Sequence, residues 1–193
     1  MTKDVLVIID VQNDFVTGAL ANPEAQKRIP RIKEKIQQRI NEGWTVMFTQ
    51  DTHYSNYAET SEGKYLPIDH CRVTTWGWQV VDELNEFFTP SRSITKSRFG
   101  QIDIYGDILH CMPDEWQFGA EPIEEIELIG FCTDICVVSN ALILKADTTW
   151  DHTVISCDAS CCAGTSIEAH EAALKVMKSC QVEVINEQED SNE

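Results

Sequence analysis

Val5-Leu-Val-Ile-Ile9, followed at once by Asp10, is the stretch on which the fold turns. It is apolar without alternation and rich in β-branched residues. A strand of that kind is buried on both faces, as in a parallel sheet covered by helices. Working outward, Ile29, Ile32, Ile36 and Ile40 recur at helical spacing, and Gly43 stops that helix. Thr45-Val-Met-Phe-Thr49 reads as a second buried strand, and Ser93-Ile-Thr-Lys96 as a weaker third. Glu127-Leu-Ile-Gly130, Thr153-Val-Ile-Ser156 and Val182-Glu-Val-Ile185 supply three more. Helices are expected at Val80 to Phe88, at Ile135 to Ala146 and at Ser166 to Cys180, with short helices and turns over 99–122. Residues 50–78 form a long loop, a length usually tied to function. This alternation predicts a three-layer α/β/α sandwich with a mainly parallel, roughly six-stranded sheet. Residues 1–186 make one domain, and 187–193 an acidic tail.

In such sheets the chemistry lies beyond the carboxyl ends of the strands. Those ends carry Asp10, then Asp51 and His53, then Lys96, then Phe131 to Cys136, then Asp158. Acids, a base, metal-type ligands and a thiol all fall where a site is expected.

Composition narrows the classes. Fifteen Lys and Arg against 32 Asp and Glu give a net charge of −17, which argues against nucleic acid or an anionic membrane surface as partner. No apolar run approaches the ~18 residues of a membrane span, and the first ten residues lack the pattern of a signal peptide. A cytoplasmic protein is expected. The eight cysteines include no Cys-x-x-Cys pair, so reduced thiols are expected rather than disulfides or a zinc ribbon. Cys157 and Cys180 read as small core residues, and Cys161 and Cys162 as part of a turn without chemistry. His110, His152 and His170 show no ligand spacing and read as surface or helix residues.

Gly130-Phe-Cys-Thr-Asp-Ile-Cys136 follows a strand and opens a helix. Cys136 then sits in a first turn, where unpaired N–H groups and the helix dipole favour a thiolate and can bind an oxyanion. Thr133 or Asp134 is the candidate N-cap. The competing structural reading is a buried cysteine on an apolar helix. Asp10 and Lys96 each end an apolar strand, where a charge is costly unless paired. They are either an ion pair or a proton acceptor and its orienting cation beside the thiol. Asp51-Thr-His53 places two ligand types on one side of an extended chain, with Glu62 and His70 in the following loop. Carboxylate with imidazole suits a divalent metal ion such as zinc, or manganese or iron, rather than calcium. The alternative is a set of exposed loop polars.

Asp10-Val-Gln-Asn-Asp-Phe15, Lys96-Ser-Arg-Phe-Gly100 and Gly130-Phe-Cys-Thr-Asp-Ile-Cys-Val137 together resemble the isochorismatase-like cysteine hydrolases, in particular the nicotinamidase-related branch. Three motifs in order, each at a strand end, extend the resemblance over roughly residues 4–186. The resemblance implies a catalytic triad of Asp10, Lys96 and Cys136. It implies a cis peptide before Cys132 and an oxyanion hole of the Cys132 and Cys136 backbone N–H groups. It also implies a metal held by Asp51, His53, His70 and Glu62, with Glu59 as rival to Glu62. The implied reaction is hydrolysis of a small amide, first of all nicotinamide to nicotinate and ammonia, by a homo-oligomer. The chain departs from the branch at Tyr65-Leu-Pro-Ile-Asp-His70, which lacks an aromatic before the last histidine to pack on a pyridine ring. Phe15 and Trp76 are the candidate substrate contacts, with Trp78 beside them. Another amidase or a ureido-compound hydrolase is the alternative within the fold, and a thiol redox sensor the alternative outside it. A sensor has no use for Asp10 and Lys96 as a proton relay.

Overall fold

The computed structural model describes residues 4–112, 123–147 and 152–187. Six parallel strands form one sheet: β1 (Val5–Ile9), β2 (Thr45–Asp51), β3 (Ser93–Lys96), β4 (Glu125–Phe131), β5 (Val154–Ala163) and β6 (Glu183–Ile185). Their order is β3-β2-β1-β4-β5-β6, as expected for a doubly wound sheet. The helices are α1 (Asn13–Val16), α2 (Pro23–Glu42), α3 (Ser61–Tyr65), α4 (Ile104–Cys111), α5 (Val138–Ala146) and α6 (Ile167–Ser179). Right-handed crossovers running outward in opposite directions from the centre place α2 on one face and α5 and α6 on the other. All five residues of β1 are wholly buried, as its unbroken apolar run requires.

Asn22 caps α2 by accepting the Glu24 N–H at 3.0 Å, with Pro23 at the first helical position. Ile29, Ile32 and Ile36 form its buried stripe, whereas Ile40 is exposed. Charges lock this helix to the sheet. Glu127 of β4, with no exposed side chain, meets Arg39 at 2.6 Å and Lys35 at 3.2 Å, and Lys35 reaches Asp158 at 2.6 Å.

Several expectations are corrected. Val80 to Phe88 holds only a short turn at Asp82–Leu84, continued by Phe87 N–H to Leu84 O and Phe88 N–H to Asn85 O. Those bonds span three residues, so this is a run of tight turns rather than an α-helix. β5 runs well past Ser156 because a bulge carries it on: Leu128 pairs with Cys157 but Gly130 with Cys162. Asp158 is therefore mid-strand and tied to α2, and Cys161 and Cys162 are strand residues. Cys180 is exposed, not core. The expected turns at 113–122, His152's flank at 148–151 and the tail from 188 lie outside the described residues. Among the described residues no helix is long and apolar enough to cross a membrane.

Candidate active site and metal centre

The sheet changes direction between β1 and β4, and a crevice opens at their carboxyl ends. The two strands approach closely there. A side chain on Gly130, whose φ is +121°, would meet Ile9 O at 2.1 Å. Beyond this point Asp10 turns into the left-handed region (φ 50°), and the Phe131–Cys132 peptide is cis, as the resemblance implied. A π-helical turn over Thr133–Val137 follows and passes into α5. Cys136 thus sits in a π turn rather than the first turn of an α-helix. The residue before the turn is Cys132, which makes no side-chain cap. The two residues expected to cap it do other work. Asp134 accepts the Thr165 N–H at 2.8 Å and its hydroxyl at 2.6 Å, and Thr133 Oγ1 lies 2.8 Å from His170 Nδ1. Both contacts tie the turn to the start of α6.

Asp10, Lys96 and Cys136 meet in the crevice. Lys96 Nζ stands 2.5 Å from Asp10 Oδ2 and 3.5 Å from Cys136 Sγ, and also donates to Arg98 O at 3.1 Å. Thr49 Oγ1 donates to Asp10 Oδ1 at 2.6 Å and accepts the Asp10 N–H at 3.1 Å. Burial raises the Asp10 carboxyl above its ordinary range; Lys96 pulls the other way and Asp51 adds to the rise. Burial also pushes the Cys136 thiol well up, with Lys96 opposing and Asp10 adding. Burial acts against a charge on Lys96, yet Asp10, Cys136 and Asp51 outweigh it and keep the ammonium protonated. Lys96 is thus a fixed cation in contact with both the Asp10 carboxyl and the Cys136 thiol.

Asp51, His53, Glu62 and His70 converge a few ångströms away, their ligand atoms all within 4.8 Å of one another. Asp51 Oδ2 is 2.9 Å from His53 Nε2 and 3.5 Å from His70 Nε2. Glu62 Oε1 is 3.5 Å and 3.7 Å from the same two nitrogens. Glu62 rather than Glu59 joins the group. His70 Nδ1 lies 2.8 Å from Ile68 O, a carbonyl that accepts a proton-bearing Nδ1, and this contact turns Nε2 toward Asp51 and Glu62. His53 Nε2 is buried and faces the Asp51 and Glu62 carboxylates. Burial opposes charge on His53, but Asp51 and Glu62 outweigh it and raise its pKa to about 9. Four inward-facing donors, two of them carboxylates, fit a divalent cation of the zinc type.

A cavity of about 350 Å³ joins the two centres. Asp51, Glu62, His70 and Cys136 open into it, and Phe15, Leu20, Leu66, Phe99 and Ile135 supply its apolar walls. Phe15 lines this cavity, whereas Trp76 is 54% exposed and outside its wall. Trp78 is a structural residue whose indole N–H donates to Thr52 Oγ1 at 2.9 Å. Sequence reasoning missed Leu20, Leu66, Phe99, Ile135 and Thr165, which come from separate segments and share no periodicity.

The chain is 26% identical over 215 residues to a nicotinamidase of Schizosaccharomyces pombe, covering 95% of this chain and 93% of that one. It is 25% identical over 174 residues to a nicotinamidase of Saccharomyces cerevisiae, covering 71% and 79%. The crystal structure of nicotinamidase PncA from Bacillus subtilis superposes with a TM-score of 0.74 at 25% identity, over 96% of this chain and 100% of that one. A family model described as the Isochorismatase domain matches residues 4–189, and by that match the chain belongs to the isochorismatase family.

Proposed function

We propose that the protein is a cysteine-nucleophile amidase whose first substrate is nicotinamide, hydrolysed to nicotinate and ammonia. The observation that carries this is the contact of Lys96 with both Asp10 and Cys136, the last of which lines a largely apolar cavity. Asp10 takes the Cys136 Sγ proton, and the thiolate attacks the carboxamide carbon. The Cys132 and Cys136 backbone N–H groups receive the oxyanion. As the tetrahedral adduct collapses, the C–N bond breaks and Asp10 returns its proton to the leaving nitrogen, releasing ammonia. Asp10 then deprotonates water, which cleaves the thioester and restores the thiol. Lys96 stays protonated and holds Asp10 in place.

Asp51, His53, Glu62 and His70 are assigned as ligands of a divalent metal ion, for which zinc is the first choice. Such an ion supplies a Lewis acid at the cavity wall, suited to a ring nitrogen or a water. The walls also separate nicotinamide from the ureido alternative. Among the described residues no Lys or Arg lines the cavity, while Asp51 and Glu62 do. A neutral aromatic amide suits such walls better than a ureido acid with a free carboxylate. Eight free thiols support a reducing compartment, the cytoplasm.

The test compares ammonia release from nicotinamide with that from a carboxylate-bearing ureido compound. Nicotinamide turnover that Asp10→Asn abolishes is expected. Preference for the ureido acid moves the chain to the alternative, and full activity in Asp10→Asn defeats the proton-transfer scheme.

A further inference from the structure

Asp14 lies four residues beyond the candidate base, is only 9% exposed, and takes no part in the scheme above. Its carboxylate is fully engaged with backbone. Oδ2 accepts the Cys71 N–H at 2.7 Å, and Oδ1 accepts the Ala19 N–H at 3.0 Å. Gly77 leaves it room: a Cβ there would fall 2.0 Å from Asp14 Oδ2.

The Cys71 N–H belongs to the peptide that directly follows His70. Cys71 is wholly buried and holds a φ of 44°, a left-handed conformation that a non-glycine residue keeps only when its surroundings impose it. Two bonds impose it here. Asp14 holds the N–H, and the His53 N–H donates to Cys71 O at 3.0 Å. Both histidines of the donor cluster are therefore braced through one residue. From the other side, Phe15 sets its ring edge-on to the His70 imidazole, with centroids 5.8 Å apart.

We propose that Asp14 is a positioning residue for the metal centre: by fixing the Cys71 N–H it turns His70 Nε2 into the donor cluster and so sets metal affinity. This rests on reading Asp51, His53, Glu62 and His70 as metal ligands. Neither ligand nor nucleophile is touched by Asp14, so it acts through backbone alone. In Asp14→Asn an amide NH₂ faces one of the two N–H donors, and that bond is lost. Loss of an outer-shell partner typically weakens metal binding about 10- to 100-fold.

The experiment is zinc titration of the metal-stripped full-length protein against a chromophoric chelator, for wild type and Asp14→Asn, with thermal unfolding of each stripped form alongside. Zinc dissociation at least about tenfold weaker in Asp14→Asn, from a stripped protein that still folds, is the expected result. Unchanged zinc affinity overturns the assignment even if the stripped variant melts lower, because a merely structural residue behaves that way. Should Asp14→Asn not fold, Asp14→Ser is read by the same criteria, and failure of both to fold also overturns it. Wild type that takes up no zinc fails the metal reading itself, whereas tight wild-type binding matched by the variant fails the Asp14 assignment alone.

Discussion

Lys96 Nζ lies 2.5 Å from Asp10 Oδ2, and neither side chain has any exposed surface. Lys96 also lies 3.8 Å from Asp51 Oδ1, so one buried ammonium stands between the candidate base and the candidate metal cluster. Its removal leaves two acids and a thiol without their cation. Lys96→Gln is expected to cost about 3–5 kcal/mol of stability, as for other broken buried pairs. It is also expected to change the thiol in a definite direction. Lys96 favours the thiolate, so without it the Cys136 pKa rises further. Iodoacetamide alkylation followed against pH is expected to shift to higher pH in the variant; a shift to lower pH is against this electrostatic role.

The cavity walls are expected to act on binding. Phe15→Ala removes an aromatic face from a cavity with few polar walls, which is worth roughly 1.5–3 kcal/mol of burial, or about 10- to 100-fold in kcat/KM. Most of the loss is expected in KM. Trp76→Ala, at an exposed position outside the wall, is expected to leave both constants within about twofold. Steady-state kinetics on nicotinamide separate the two.

The donor cluster is expected to couple metal to stability. A ligand that binds only the folded state stabilises it by about 2.7 kcal/mol at a hundred times its Kd. Stripping with a chelator is expected to lower the melting temperature, and added zinc to restore it. His53→Ala is expected to abolish the response, since His53 Nε2 is one of the converging donors.

Asp158 carries a pH dependence away from the site. Burial opposes its charge, but the hydrogen bonds from Lys35 and Ser160 outweigh that and hold its carboxyl below the ordinary carboxylate range. A depressed carboxyl adds stability above its unfolded pKa, and that stability is lost as pH falls through the folded value. Asp158→Asn is expected to cost roughly 2 kcal/mol at pH 7. Urea unfolding of both proteins is expected to show the difference narrowing below about pH 4.

Much of the site was legible because its residues end strands. Asp10 follows an unbroken apolar run, and Asp51 and Lys96 sit at the carboxyl ends of strands, where the rule for parallel sheets places a site. The walls were not legible, because Leu20, Leu66, Phe99 and Ile135 face one another only after four separate segments fold together. Trp76 lies outside the wall for a related reason: its backbone carbonyl, accepting from Asn13 Nδ2 at 2.9 Å, anchors the loop while the side chain stays exposed. The fold was legible in its strands and long helices. It failed where Val80, Val81 and Leu84 kept helical spacing within a run of tight turns, and where a bulge prolonged β5. Gln12, Asn13 and Asp14 did offer a signal. Three consecutive polar residues shortly after a fully buried strand, all of them buried, have to be hydrogen-bonded to something.

The most direct measurement is ammonia release from nicotinamide by the purified wild-type protein and by Cys136→Ala. Steady turnover is expected in the first and none above background in the second. Turnover that survives in Cys136→Ala contradicts the thioester route, and a folded, metal-loaded wild type that releases no ammonia contradicts the substrate.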